Sequence, residues 1–274
     1  MCEVLHVSKS GYYRFLKRGV SAQETKRLVL LRAIEEIYRS SRNTYGSPRV
    51  YAQLKALGFS CSKSTVERLM RANGMVSKVR KKYKATTDAT HAMPIAPNRV
   101  NQKFQVEAPN QLWMGDITYL RTEQGWFYLA VVLDAYSRKV VGFSMNERMQ
   151  TNLVLDALEM AVKRRRPQQG LIFHSDRGSQ YASESYRQTL CLYEMLQSMI
   201  GRGNGYDNAV VESFFHTLKA ELDERFSFRE QARRQVFVWM EGFYNRNHLH
   251  SSLGYKSPEQ FENQRKFSSP RVHF

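Results

Sequence analysis

The sequence predicts an α/β fold in which a mixed-sheet core follows an all-α region containing a helix-turn-helix. Three observations lead there. Before Gly74 the apolar residues recur at helical spacing, as in Leu28, Leu31, Ile34 and Tyr38. Residues 112–121, 126–134 and 139–146 are instead rich in aromatic and β-branched residues, with E-Q-G and Y-S-R turn signals between them. Beyond Asn146 helical and strand-like runs alternate, which is how parallel strands join an antiparallel set.

Residues 3–18 read as a helix, a Ser/Gly turn and a second, basic aromatic helix. Residues 22–40 form an amphipathic helix. Gly46 and Pro48 break the chain, with Ser47 as cap and Pro48 at the first helical position of the next helix. Val50, Leu54 and Leu57 are its apolar face, and Gly58 ends it. Ser62 or Ser64 caps a further helix that turns Val66, Leu69 and Met70 inward and Lys63, Arg68 and Arg71 outward. Two short helices around a Gly-containing turn, the second one basic, make the helix-turn-helix. The run K-V-R-K-K-Y-K follows, with a tyrosine among cations Lys78, Arg80, Lys81, Lys82 and Lys84. Residues 77–110 hold three prolines and few periodic apolar positions, so they read as a basic, extended linker able to track phosphates.

In the core, residues 151–165 are a helix, 171–175 a buried strand, 183–190 a helix and 192–199 a last strand. Val211, Phe214, Phe215, Leu218 and Leu222 mark the buried face of another helix, with Asp207 placed as its cap. Glu212, His216, Lys219 and Asp223 run beside them as a polar stripe. A helix over residues 228–244 precedes Y-N-R-N-H-L-H-S-S-L-G-Y, where Asn245, Arg246, His250, Ser251 and Ser252 form a polar cluster suited either to packing or to DNA contact.

Composition narrows the function. The 274 residues carry a net charge of +17, which points to a polyanion. Residues 1–110 hold 21 Lys and Arg against 7 acids, and the remainder 21 against 18, so the excess precedes the core. Three scattered cysteines exclude a disulfide framework or Cys-rich zinc cluster and fit a reducing cytoplasm. No signal peptide or membrane-length apolar run is visible.

Three carboxylates stand out. Asp116 sits mid-strand in W-M-G-D-I-T-Y, where an ionised side chain is costly without a cation or hydrogen bonds. Asp176 ends the strand of L-I-F-H-S-D-R-G-S-Q-Y, and Glu212 opens the helix of D-N-A-V-V-E-S-F-F. Two strands and a helix are thus expected to bring hard oxygen donors to one place, a set suited to Mg²⁺ or Mn²⁺.

With 35 residues between Asp176 and Glu212, and Lys219 seven beyond the Glu, this triple resembles the D-D-35-E signature of retroviral-integrase-like transposases. The strings H-S-D-R-G-S-Q-Y, D-N-A-V-V-E-S-F-F, Y-G-S-P-R-V and H-S-S-L-G-Y resemble the second-reading-frame (OrfB) transposases of bacterial insertion sequences, over nearly the whole chain. That resemblance implies an RNase H-like (retroviral integrase-like) core over residues 111–225 and a C-terminal helical segment over 226–274 packed on it. Residues 1–76 form the helix-turn-helix region and 77–110 the linker. It implies metal-dependent cleavage of element ends and strand transfer, with two Mg²⁺ or Mn²⁺ ions. Asp116 is the expected bridging ligand, with Asp176 on one ion and Glu212 on the other, and Lys219 is placed to hold a DNA phosphate.

The expected partners are double-stranded DNA, further copies of the chain on that DNA, and the upstream-frame protein or a fusion with it. The alternative is a DNA-binding regulator that keeps the fold without transposition activity. Bland readings stand beside the site: Asp176 paired with Arg177, Glu212 solvated, Lys219 paired with Asp223. Asp134 and Asp207 read as structural.

Overall fold

The computed structural model describes residues 4, 6–17, 19–77, 93–201, 205–222 and 225–268, without the side chains of 205–206 and 265–268. It divides into two compact units, Met1–Lys78 and Val79–Phe274.

The first unit holds α1 (Lys9–Lys17), α2 (Ala22–Ser40), α3 (Ser47–Ala56) and α4 (Lys63–Ala72). Ser21 and Ser62 cap α2 and α4 by accepting from the amides of Glu24 and Thr65. Ile34, Ile37, Tyr45, Val50, Leu54, Val66, Leu69 and Met70 are the buried apolar residues described in this unit. Four expectations change here. The hairpin over residues 3–18 is, among the described residues, one helix: the Ser8 hydroxyl accepts from the Gly11 amide, so the Ser/Gly punctuation starts a helix rather than separating two. Gly46, not Ser47, is the cap of α3, and Ser47 and Pro48 are its first residues, because Gly46 has the extended backbone a cap needs. Leu57 is 61% exposed at the C-cap, beyond the buried face, while Gly58 ends the helix at φ +84°. Leu28 is exposed, because the first half of α2 contributes no buried residue.

The second unit is built on β1 (Leu112–Thr122), β2 (Gly125–Asp134), β3 (Val140–Asn146), β4 (Ile172–Ser175) and β5 (Leu196–Met199) in the order β3-β2-β1-β4-β5. The β1–β2 and β2–β3 pairs are antiparallel, and β1–β4 and β4–β5 parallel. Helices α5 (Thr151–Arg165), α6 (Ser179–Ala182) and α7 (Glu184–Leu192) cover one face, over Trp113, Ala130, Val132 and Phe173. Gly142 lies so close to α5 that a Cβ there would sit 2.1 Å from the Ala157 carbonyl oxygen. After α8 (Ala209–Glu221) come α9 (Arg229–Phe237), a π-helical turn Val238–Tyr244, α10 (Asn245–Asn247) and α11 (Pro258–Ser268). Arg233 of α9 lies over Phe127 and Phe237 against Phe143, which ties α9 to the sheet.

Here too the structure moves boundaries. Residues 192–195 are not strand: Leu192 ends α7, Glu194 turns the chain at φ +53°, and β5 starts at Leu196. The helix over residues 183–190 is α7, with Ser183 as its cap. Asp207 does not cap α8. It lies buried in the 3₁₀ turn Gly205–Asn208, accepting from the Asn98 amide group at 2.7 Å and the Gly201 N–H at 3.1 Å, while Asn208 occupies the cap position. Ser198 accepts from the Arg99 amide and Val100 is buried, so the segment before β1 is held onto the core.

Candidate active site

Two of the three carboxylates, Asp116 and Asp176, come side by side where the parallel pairing stops, and Glu212 of α8 stands further off. β1 and β4 are in register from Leu112 with Ile172 to Gly115 with Ser175, and the next residues along the chain are Asp116 on β1 and Asp176 just past the end of β4. Adjacent strands lie roughly 4.8 Å apart, so the two side chains are neighbours. Burial raises the Asp116 pKa well above the usual carboxylate value; Asp176 adds to the rise, Glu212 less so, while the Ile117 N–H and Lys219 oppose it. That N–H donates to Asp116 Oδ1 at 2.7 Å, and Gly178 N–H donates to Asp176 Oδ1 at 3.0 Å.

Beyond Gly115 β1 has no β4 residue beside it, and α8 lies against β1. Its two flanks are tied down by backbone hydrogen bonds: Ile200 donates to Ser175, Phe226 donates to Arg121, and Glu123 donates to Phe226. Val211, Phe214, Phe215, Leu218 and Leu222 are buried as their spacing predicts, which leaves Glu212, His216 and Lys219 half-buried. Burial raises the Glu212 pKa and the His216 charge opposes this. Burial lowers the Lys219 pKa, opposed by the negative charge of Asp116. The Lys219 ammonium stands 4.4 Å from the centre of the Tyr119 ring. Among the described residues no three His, Cys, Asp or Glu side chains are grouped closely enough to hold one ion together.

Of the other sequence-derived residues, Lys63, Arg68 and Arg71 are exposed on α4, and Arg71 pairs with Glu67 at 2.9 Å. Lys78, Arg80, Lys81, Lys82 and Lys84 lie outside the described residues, as does Asp223. Arg177 donates from Nε to the Ile200 carbonyl. Asp134 accepts from the Tyr136 and Asn110 amides, holding the turn after β2.

Three supporting residues escape a reading of motifs alone. Gly115 is crowded: a Cβ would meet the Phe173 ring at 2.5 Å, so only glycine lets β1 and β4 close up beside the two aspartates. Buried Tyr181 lies near the same place; burial raises its pKa first, then Tyr186, Asp116 and Asp176. His174 is buried with Nδ1 2.9 Å from Ser198 Oγ, joining β4 to β5, and burial lowers its pKa to about 4 against the charge of Asp207. The string H-S-D-R-G-S-Q-Y contains both His174 and Tyr181, but only the fold shows what each touches.

Models of the integrase core domain match residues 106–205 and 193–258, and the model of an HTH-like domain matches residues 25–83. The InsF transposase of insertion sequence IS3A from Escherichia coli K12 is 42% identical over 96% of this chain and 93% of its own length. A 31 kDa uncharacterized protein of insertion element IS600 from Shigella sonnei is 40% identical over 95% of this chain and 97% of its own. The HTLV-2 integrase catalytic core domain, solved with magnesium, aligns over 58% of this chain and 99% of its own with a TM-score of 0.42 at 16% identity.

Proposed function

The chain belongs to the IS3-type transposases of bacterial insertion sequences, and from that premise we propose that Asp116, Asp176 and Glu212 are the carboxylates with which it cleaves element ends and transfers strands. The observation that carries the assignment is the register of β1 and β4, which sets Asp116 beside Asp176 with α8 alongside.

The donor set fits a hard divalent cation. Two crowded carboxylates, one with its pKa raised by burial and by the other's charge, are what such an ion relieves. Mg²⁺ typically binds through one or two carboxylates and completes its shell with water and phosphate oxygens, so a preformed three-carboxylate cage is not required. Asp116, Asp176 and Glu212 are the residues that would hold Mg²⁺ or Mn²⁺, with Asp116, between the other two, the one suited to serve more than one ion. When bound, the ions activate the attacking oxygen and spread the charge of the departing one.

The protein's own groups do the positioning. Lys219 offers its ammonium to a non-bridging phosphate oxygen, and the exposed cations of α4, with Lys78, Arg80, Lys81, Lys82 and Lys84, hold the duplex. Attack by water breaks the phosphodiester and frees a 3′-OH; that hydroxyl then attacks a phosphodiester of target DNA, forming one bond as the other breaks. No covalent protein intermediate is needed, so no Ser or Tyr nucleophile has to be found. Joining two ends at one target calls for more than one copy, and the OrfB resemblance supports a further contribution from the upstream-frame product. Retention of all three carboxylates weighs against a purely regulatory role.

Asp176→Asn tests the site, since it removes a ligand charge at nearly constant volume. Cleavage of terminal-repeat DNA in Mg²⁺ should be abolished while DNA affinity stays within a few fold. Full cleavage by the variant would remove the basis of the assignment.

A further inference from the structure

Two large aromatic side chains remain in solvent on the β1–β2 hairpin, further along the strand that carries Asp116. Tyr119 of β1 is 40% exposed and Trp126 of β2 is 50% exposed, whereas Trp113 and Phe127 on the same strands are fully buried. Their rings meet edge to face, 5.0 Å between centroids at 79°. The β1–β2 register pairs Arg121 with Trp126 and Tyr119 with Tyr128, which puts Tyr119 and Trp126 diagonally on one face. Tyr119 is three residues along the strand from Asp116, about 10 Å, and by that odd spacing on the other face of the sheet; Lys219, over the Tyr119 ring and within the field of Asp116, links the two.

An exposed aromatic pair in ring contact, with a cation over one of the rings, is a surface suited to recognition. A cation beside the rings and carboxylates beyond it select an occupant that joins negative charge to a flat π-surface, which describes a nucleotide of a DNA strand. We propose that Trp126, held by Tyr119, is a stacking subsite for an unpaired base flanking the cleaved phosphodiester. This rests on the function proposed above. A strand whose phosphate lies at Asp116 and Asp176 would pass Lys219 and round the edge of β1 that β4 leaves free beyond Gly115, bringing its neighbouring nucleotides to the β1–β2 hairpin. Stacking there costs one broken base pair and is indifferent to base identity, because every base has a π-face. The subsite thus holds a frayed end in place without reading its sequence.

The test scans single abasic nucleotides through the positions flanking the cleavage site of a terminal-repeat duplex, using the full chain. In the unaltered protein, one or two adjacent abasic positions should weaken binding and joining roughly tenfold, the size of one base–aromatic stack. Trp126→Ala should show the same loss on intact DNA and no further loss at those abasic positions, whereas Trp126→Phe should recover most of it. An unchanged melting temperature would show that the fold survives. If wild type cleaves intact DNA yet no position is sensitive, or the losses from Trp126→Ala and the abasic site simply add, the subsite is overturned while the function stands. Loss of self-association by Trp126→Ala without any coupled abasic position would likewise overturn it, in favour of contact between copies. Failure of the wild type to cleave intact DNA in Mg²⁺ would sink the function and the subsite with it.

Discussion

Lys219 is half-buried on α8, over Tyr119 and within the field of Asp116. Its removal takes away no core volume, since Val211, Phe214 and Leu218 supply the buried face. The ring contact accounts for about 0.5–1 kcal/mol of the loss at a partly exposed site. Lys219→Ala is therefore expected to move the melting temperature by only a few degrees yet to reduce joining of a pre-cleaved end markedly. A large drop in melting temperature with normal joining would instead make Lys219 a structural residue. The position of Lys219 was legible because helical spacing from Glu212 requires it to share that side of the helix. Gly115, His174 and Tyr181 were not, because each owes its role to a neighbour on another strand or helix. Nothing local says that Phe173 presses on Gly115.

Among the elements, those with a strong period of their own were found: α2 and α5 at their observed limits, and β1, β2 and β3 to within one residue. Elements set by tertiary contacts were not. The π-helical turn lies inside a run that reads as ordinary helix, and its buried Trp239 and Tyr244 face Phe214 of α8. The polar cluster beyond it proves partly structural: Asn245 accepts from the Val140 amide and donates to its carbonyl, and His248 reaches Glu221 at 3.1 Å. A second junction joins α5 to α11. Arg165 of α5 donates to both oxygens of Glu262, at 2.8 Å each, and Ser137 donates to the same carboxylate. Burial pushes the Glu262 pKa up, but hydrogen bonds from Arg165 and Ser137 and the charges of Arg165 and Lys139 outweigh it, so the net shift is downward. A depressed folded-state pKa gives stability that is present above the unfolded value of roughly 4.5 and lost as pH falls through the folded one. Glu262→Gln should cost about 2 kcal/mol at neutral pH, by weakening the charged hydrogen bonds from Arg165 and leaving that half-buried guanidinium only its longer pair with Asp134 at 3.5 Å. Its acid unfolding limb should also be shallower than wild type. Equal acid limbs in urea titrations at several pH values would show that the ion pair contributes nothing.

For the whole molecule, the question is which unit supplies affinity for DNA. Residues 1–92 carry 19 Lys and Arg against 6 acids, while residues 93–274 carry 23 against 19. Phosphate contacts release counterions, so each one adds about 0.9 to the fall of log K per tenfold rise in salt. The catalytic unit carries little net charge to contribute to such a slope. Residues 98–110 belong with that unit, because Asn98 bonds Asp207, Arg99 bonds Ser198 and Asn110 bonds Asp134. A fragment that keeps residues 93–274 therefore retains these contacts, whereas one cut at 111 loses them along with the basic excess of the first 92 residues and confuses two effects. The 93–274 fragment should bind terminal-repeat DNA weakly and with a shallow salt slope, and still cleave at high enzyme concentration in Mg²⁺. The full chain should bind tightly at low salt and lose affinity steeply between about 50 and 200 mM, as proteins with several phosphate contacts do. Equal slopes for fragment and full chain would place the DNA-binding surface on the catalytic unit, and the basic excess of the first 92 residues would then serve something other than DNA.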